Sequence, residues 1–212
     1  SIVNYNGTKH LVELLANMPE TWLIFGSSRE VYGEQKLFPV KETAHKQPIN
    51  IYGECKLKGE EIIKEKFKRY AILRFSNVYG NNYDIEGRVI PTFVKRALED
   101  EVLYLEGGEQ TIDFTHISDT VGSIIDVILL LQNNRIVTEE IHISPGRTNK
   151  ITDIIRYLEQ LTGKKPKVQI RQKRNYDVEH FVGDSSHREQ ILGKKTFQSL
   201  YEGIEQMIKH QP

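Results

Sequence analysis

Short apolar runs alternate with helical patterns along the chain, and this alternation narrows the fold more than any other feature. WLIFG at 22–26 and YAILRF at 70–75 are near-continuous apolar runs with no in–out alternation. Strands buried on both faces of a parallel sheet read this way. Between and before them lie helical stretches. Residues 8–17 place Leu11, Leu14 and Leu15 on one helical face, and 53–68 form a charged helix with Leu57, Ile62, Ile63 and Phe67 as its apolar positions. The pattern predicts an α/β fold with a mostly parallel, doubly wound sheet. WLIFG is expected to stop at Gly26.

After about residue 80 the strands shorten and the loops lengthen. A helix is expected over 89–100, with Pro91 in its first turn. Short strands follow at 102–105 and 111–117. Ser118 or Asp119 is the expected cap of a helix over 119–132. A strand at 140–144, a helix at 151–161 ended by Gly163 and Pro166, and a last helix near 198–209 complete the chain. We therefore expect residues 1–80 to be the last part of the doubly wound sheet. Residues 81–212 are expected to be a smaller mixed α/β region, with some segments returning to that sheet.

Charge and composition exclude several classes. Lys+Arg and Asp+Glu both total 29, which argues against a nucleic-acid binder. The basic run at 163–175 is read as a surface stretch or as part of an anion site. A single cysteine, Cys55, rules out an intrachain disulfide and any multi-cysteine metal site. We expect it to be a packed thiol. The seven histidines show no metal-ligand spacing, so no metal is expected, and His116 reads as a structural residue. No apolar run reaches the roughly 18 residues a membrane span needs, and the polar start from Ser1 to Gly7 is no signal peptide.

Two segments carry chemistry. Ser27-Ser28-Arg29-Glu30-Val31-Tyr32-Gly33 follows the first strand, and Tyr52 stands four residues before Lys56. Tyrosine and lysine at this spacing share a helix face. A nearby ammonium favours phenolate and lowers the tyrosine pKa. Such a tyrosine can take a proton from an alcohol while hydride leaves the carbon. In open α/β sheets ligands sit at the carboxyl ends of the strands, which is where Ser28 falls. Taken alone, a tyrosine and a lysine at this spacing also describe a solvated face of any charged helix.

Together with Asn4-Tyr5-Asn6-Gly7-Thr8, Leu73 to Gly80, Asp113 to Asp119 and Gly183 to Gly193, these segments closely resemble the extended short-chain dehydrogenase/reductase family. The resemblance is to its NAD-dependent sugar-nucleotide epimerases and dehydratases, and it covers nearly the whole chain. Cys55 replaces the serine usual before the lysine. The resemblance implies a Rossmann-like NAD-binding domain whose glycine-rich turn this sequence lacks. On that reading the chain is the C-terminal two thirds of an enzyme, and its first strand has an open edge. Alone it would bind NAD poorly and be inactive.

The resemblance also implies site roles. Tyr52, Lys56, Ser28 and Glu30 are the expected catalytic residues. Tyr52, Lys56 and Ser27 would bind NAD. Ser28, Asn77, Arg174 and Asp177 would bind the nucleotide-sugar substrate. Ile112 stands where relatives carry an arginine for the diphosphate, so one anchor is expected to be missing, and Glu106 stands where an aromatic residue often packs the base. Glu30 suits a dehydratase or decarboxylase better than a simple 4-epimerase. It also has a bland alternative, a pair with Arg29. A non-catalytic or split sugar-nucleotide-binding module is the rival from another class. A homodimer through the helices at 8–17 and 52–68 and a cytoplasmic location complete the expectations.

Overall fold

The computed structural model describes residues 5–15, 17–18, 20–81, 87–172 and 178–210. In chain order the first elements are α1 (Gly7–Leu15), β1 (Leu23–Ser28), α2 (Ile51–Lys66), β2 (Tyr70–Phe75), β3 (Asn77–Tyr79) and α3 (Val89–Leu98). Next come β4 (Val102–Glu106), β5 (Thr111–Ile112), β6 (Phe114–His116), α4 (Ile117–Gln132) and β7 (Thr138–Ile143). The chain continues with β8 (Asn149–Lys150), α5 (Ile151–Thr162), β9 (Lys167–Arg171), β10 (His180–Phe181), α6 (Ser186–Leu192) and α7 (Leu200–Lys209).

Strands β1, β2 and β7 form a parallel sheet in that order, with Ser28 beside Phe75 and Phe75 beside Ile143. Among the described residues β1 pairs only with β2, so it forms one edge. Helix α4 covers one face through Val127 and Leu131, packed on Leu73, Ile141 and Ile143. Helices α1 and α2 supply Val12, Ile63 and Phe67, packed with Leu23 and Phe25. Gly59 lets α2 approach the sheet, since a Cβ there would stand 2.7 Å from the Phe25 ring. The strand β1 does not stop at Gly26. It runs to Ser28, because a glycine inside a strand is tolerated where another group packs close, here the Phe75 ring at 3.2 Å from a built Cβ.

A second core is mainly aliphatic and aromatic. Phe93 of α3, Leu103 of β4, Ile154 and Leu158 of α5, and Ile204 of α7 meet in it. Each such buried side chain contributes roughly 1.5–3 kcal/mol. Ile112 belongs to this core, only 8% exposed, on a strand held between β8 and β10. It is therefore a packing residue rather than an empty phosphate anchor.

Other expectations are also revised. Helix α4 is capped by His116, whose ring nitrogen accepts from Ser118 N, and neither Ser118 nor Asp119 is the cap. On α1 the buried residue is Val12, while Leu11 and Leu14 are exposed. Ile63 and Phe67 of the second helical stretch are spent inside the chain. Cys55 is buried. Arg174 and Asp177 lie outside the described residues. No helix among the described residues is long and apolar enough to cross a membrane.

Candidate active site

The carboxyl end of β1, the start of α2 and the end of β2 meet in one place. Ser28 ends β1 with its backbone extended, and its hydroxyl accepts from Glu30 N at 3.2 Å, which starts a single 3-10 turn over Arg29–Val31. Asn50 caps α2, accepting from Gly53 N at 2.8 Å, so the helix starts at Ile51 and Tyr52 lies in its first turn. Tyr52 is 44% exposed. Its phenol feels Ser28 and Glu30 from the β1 side and Arg88 from the segment before α3.

Lys56 lies one turn along. Its ammonium donates to Gly26 O at 2.7 Å and sits 5.7 Å from the centroid of the Tyr52 ring. Burial lowers its pKa. The Tyr52 pKa is raised rather than lowered. Burial is the main cause, Glu30 adds to it, and the Ser28 hydroxyl and the Arg88 charge oppose it. The lysine is therefore on the right face, but its charge is directed at a strand carbonyl.

Arg29 and Asn77 complete the wall. Arg29 is buried beneath the 3-10 turn, donates through Nε to Asn77 Oδ1 at 2.8 Å, pairs through Nη2 with Glu30 at 3.0 Å and lies 5.6 Å from the Phe181 ring centre. The second Glu30 oxygen accepts from Asn50 Nδ2 at 2.9 Å. Arg29 thus takes up one lone pair of the Asn77 oxygen. Ser27 faces away from the site. Its hydroxyl is buried and donates to Glu60 at 2.6 Å, so its side chain serves the core rather than a cofactor.

Beneath the site lies a polar network that the sequence reading missed. Arg74 makes a two-pronged, fully buried pair with Glu60 at 2.9 and 2.7 Å and donates to the Tyr32 oxygen at 2.8 Å. The Tyr32 oxygen also lies 2.6 Å from His142 Nε2, and His142 Nδ1 faces Glu42 at 3.6 Å. Burial, helped by the Arg74 charge, pushes the His142 pKa down to about 3. Asp113, fully buried, accepts from the Ser76 hydroxyl and from Gly183 N at 3.0 Å, and burial raises its pKa to about 6. Position gave two signals. Glu60 is four residues past Lys56 and eight past Tyr52, on the same helical stripe. Arg74 lies inside a strand buried on both faces.

A wider cleft, about 790 Å³, lies at the amino ends of β2 and β7, lined by Lys46, Glu139, Glu140 and His187 among others. Two of its acids are already paired, Glu139 with His187 and Glu140 with Lys64 and Arg74, and it holds none of Ser28, Tyr52, Lys56 and Asn77. No cluster of potential metal ligands occurs among the described residues.

A model of the NAD dependent epimerase/dehydratase family matches residues 2–141. The chain belongs to that family. Its relatives include the UDP-glucose 4-epimerase of Streptococcus mutans, 26% identical over 96% of this chain and 67% of that protein. A UDP-glucuronic acid decarboxylase of Xenopus tropicalis is also 26% identical, over 89% of this chain and 46% of that protein. The UDP-glucuronic acid 4-epimerase of Bacillus cereus, solved with UDP-glucuronic acid and NAD, superposes with a TM-score of 0.89 at 27% identity, covering 99% of this chain and 67% of that one. The chain thus spans about two thirds of the length of these epimerases, and its sheet is part of a Rossmann-like fold.

NAD is the cofactor of the epimerase/dehydratase family. The donor set here suits one end of it: a half-buried lysine, an accessible phenol and the backbone at the end of β1 stand together.

Proposed function

We propose that the chain is the C-terminal part of an NAD-dependent enzyme that epimerises a nucleotide sugar through transient oxidation at C4. The observation that carries this reading is the meeting of Ser28, Tyr52 and Lys56 at the carboxyl end of β1. On this reading residues 1–80 complete the NAD-binding domain, and 81–212 mainly bind substrate.

Tyr52 takes the proton of the sugar hydroxyl, and Ser28 holds the same oxygen. Bound NAD supplies a hydride acceptor. Lys56 and Tyr52 hold its ribose. Cations near Tyr52 favour phenolate against the burial that opposes it, which makes Lys56 and Arg88 the groups that tune the base. Return of the same proton from Tyr52, together with the hydride to the other face of the keto sugar, would give the epimer with no net redox change. The Asn77 amide donates to the substrate phosphates. On the family resemblance, Arg174 and Asp177 join it.

A dehydratase or decarboxylase reading draws on Glu30 and on the decarboxylase relatives. The pairing of both Glu30 oxygens, with Arg29 and with Asn50, favours the epimerase instead. Exposed Leu11 and Leu14 on α1, beside α2, support a homodimer through the helices at 8–17 and 52–68. A cytoplasmic location rests on family resemblance alone. The test is incubation of the full-length enzyme, glycine-rich turn included, with NAD and either UDP-glucose or UDP-glucuronic acid, followed by NMR. The C4 epimer is expected. Loss of water or carbon dioxide would assign a lyase, and unchanged sugar would assign a binding module.

A further inference from the structure

Asn50 does two jobs with one side chain. Its oxygen caps α2 through Gly53 N, and its amide donates to Glu30 Oε2 at 2.9 Å. The contact between the two segments is close, since a Cβ on Gly53 would stand 2.5 Å from the Glu30 carbonyl oxygen. The main chain of Glu30 meanwhile donates to Ser28 Oγ, and its other carboxylate oxygen is held by Arg29, itself tied to Asn77. Glu30 therefore touches the serine and the cap of the tyrosine helix, and reaches Asn77 through Arg29.

We infer that Glu30 is a positioning residue that, through Asn50, sets the start of α2 so that Tyr52 stands opposite Ser28, and that it is not the base for a substrate carbon. The inference rests on the proposed role of Tyr52. A base needs a lone pair turned toward its substrate. Here both oxygens are turned to protein donors, one of them cationic, and the side chain is mostly covered. The start of α2 is held against the 3-10 turn by this side-chain clamp together with the close approach of Gly53 to the Glu30 main chain. A displacement of about 1 Å between reacting groups costs up to about 10²-fold in rate. The reaction class that follows is one needing a single proton-transfer group.

The test uses Asn50→Ser, which keeps a capping oxygen but loses the amide that reaches Glu30. It is compared with Glu30→Ala and the double variant, with folding checked by circular dichroism. The clamp predicts that both single variants lower kcat by a similar factor, up to about 10²-fold, leave KM for the nucleotide sugar unchanged, and give a double variant no worse than either. Wild-type turnover in deuterium oxide should leave the carbon next to C4 without deuterium. Deuterium there, or an active Asn50→Ser beside an inactive Glu30→Ala, would overturn the inference.

A second readout needs no turnover, so failure of the activity reading stays separate. Tyr52 is faced by Ser28 and Glu30 across the 3-10 turn, by Arg88 before α3 and by Lys56 on its own helix. Asn50→Ser changes none of these charges. Its Tyr52 titration, taken as the ultraviolet difference from the same protein carrying Tyr52→Phe, should move down toward the ordinary tyrosine value as the ring loses packing. An unmoved titration would show that Asn50 does not place Tyr52.

Discussion

The sheet beneath Ser28 and the core around α3, α5 and α7 solve the same burial problem in opposite ways. The first buries charge: Arg74, Glu60, Tyr32 and His142 are linked by directed bonds, each of which fixes an angle. The second is built mainly of hydrocarbon, with Phe93, Leu103, Ile154, Leu158 and Ile204 in contact. Hydrophobic contact is non-directional and tolerates small shifts. A buried ion pair adds little net stability, but losing one partner leaves an uncompensated charge. The polar network stands under the residues that must meet within hydrogen-bond range, and the apolar core stands away from them. Directed bonds thus lie where the site needs defined geometry.

The contrast is broken most severely at Arg74. Arg74→Met should cost about 3–5 kcal/mol by stranding Glu60, whereas the double variant Arg74→Met/Glu60→Met should recover much of that loss. Urea denaturation of the three proteins measures it. A double variant as damaged as the single one would mean that the charges contribute stability beyond their mutual pairing.

In the apolar core, Ile112→Arg should cost roughly 1–3 kcal/mol from overpacking, with the desolvation of the charge added. Calorimetric affinity for a UDP-sugar should not rise. Tighter binding would return Ile112 to the diphosphate site suggested by its place in the sequence.

Asp113 sharpens the comparison through pH. Burial raises its pKa from 3.8 to about 6, so the folded protein prefers the protonated form. The stability this group contributes is present below pH 3.8 and is lost as pH rises through about 6. Relative to Asp113→Asn, wild type should lose on the order of 2–3 kcal/mol across that window. Parallel pH dependence in the two proteins would show that Asp113 does not titrate there.

The smallest effect belongs to the surface. Leu14→Glu, at a residue 72% exposed, should change monomer stability by less than about 0.5 kcal/mol, yet convert a dimer to a monomer in light scattering. A dimer that survives Leu14→Glu would place the interface elsewhere.

These features were unevenly legible in the sequence. The strand at 70–75 is found where its apolar run stands, and the helices fall within a few residues of their patterns. Strands β3, β8 and β10 are two or three residues long, too short to show a period. Strand β9 is exposed throughout, and its alternation of Val168 and Ile170 was passed over inside the basic run at 163–175. Ser28, Tyr52 and Lys56 were singled out by their place after the first strand and by the four-residue spacing, Asn77 by the family resemblance, and Arg29 only as a neighbour of Glu30. Asn50, Glu60 and Arg74 were not singled out, since what makes each important is a partner distant in the chain. Glu60 in a charged helix looks solvated until Arg74 is placed against it.

The central claim is that Tyr52 carries the proton of the sugar hydroxyl at the end of β1. Tyr52→Phe removes one oxygen from a half-exposed ring and leaves the network below untouched. Its turnover of the UDP-sugar, with NAD present, should fall by about 10²–10⁴-fold at an unchanged melting temperature. A Tyr52→Phe protein that retains more than about a hundredth of the wild-type rate would contradict the account.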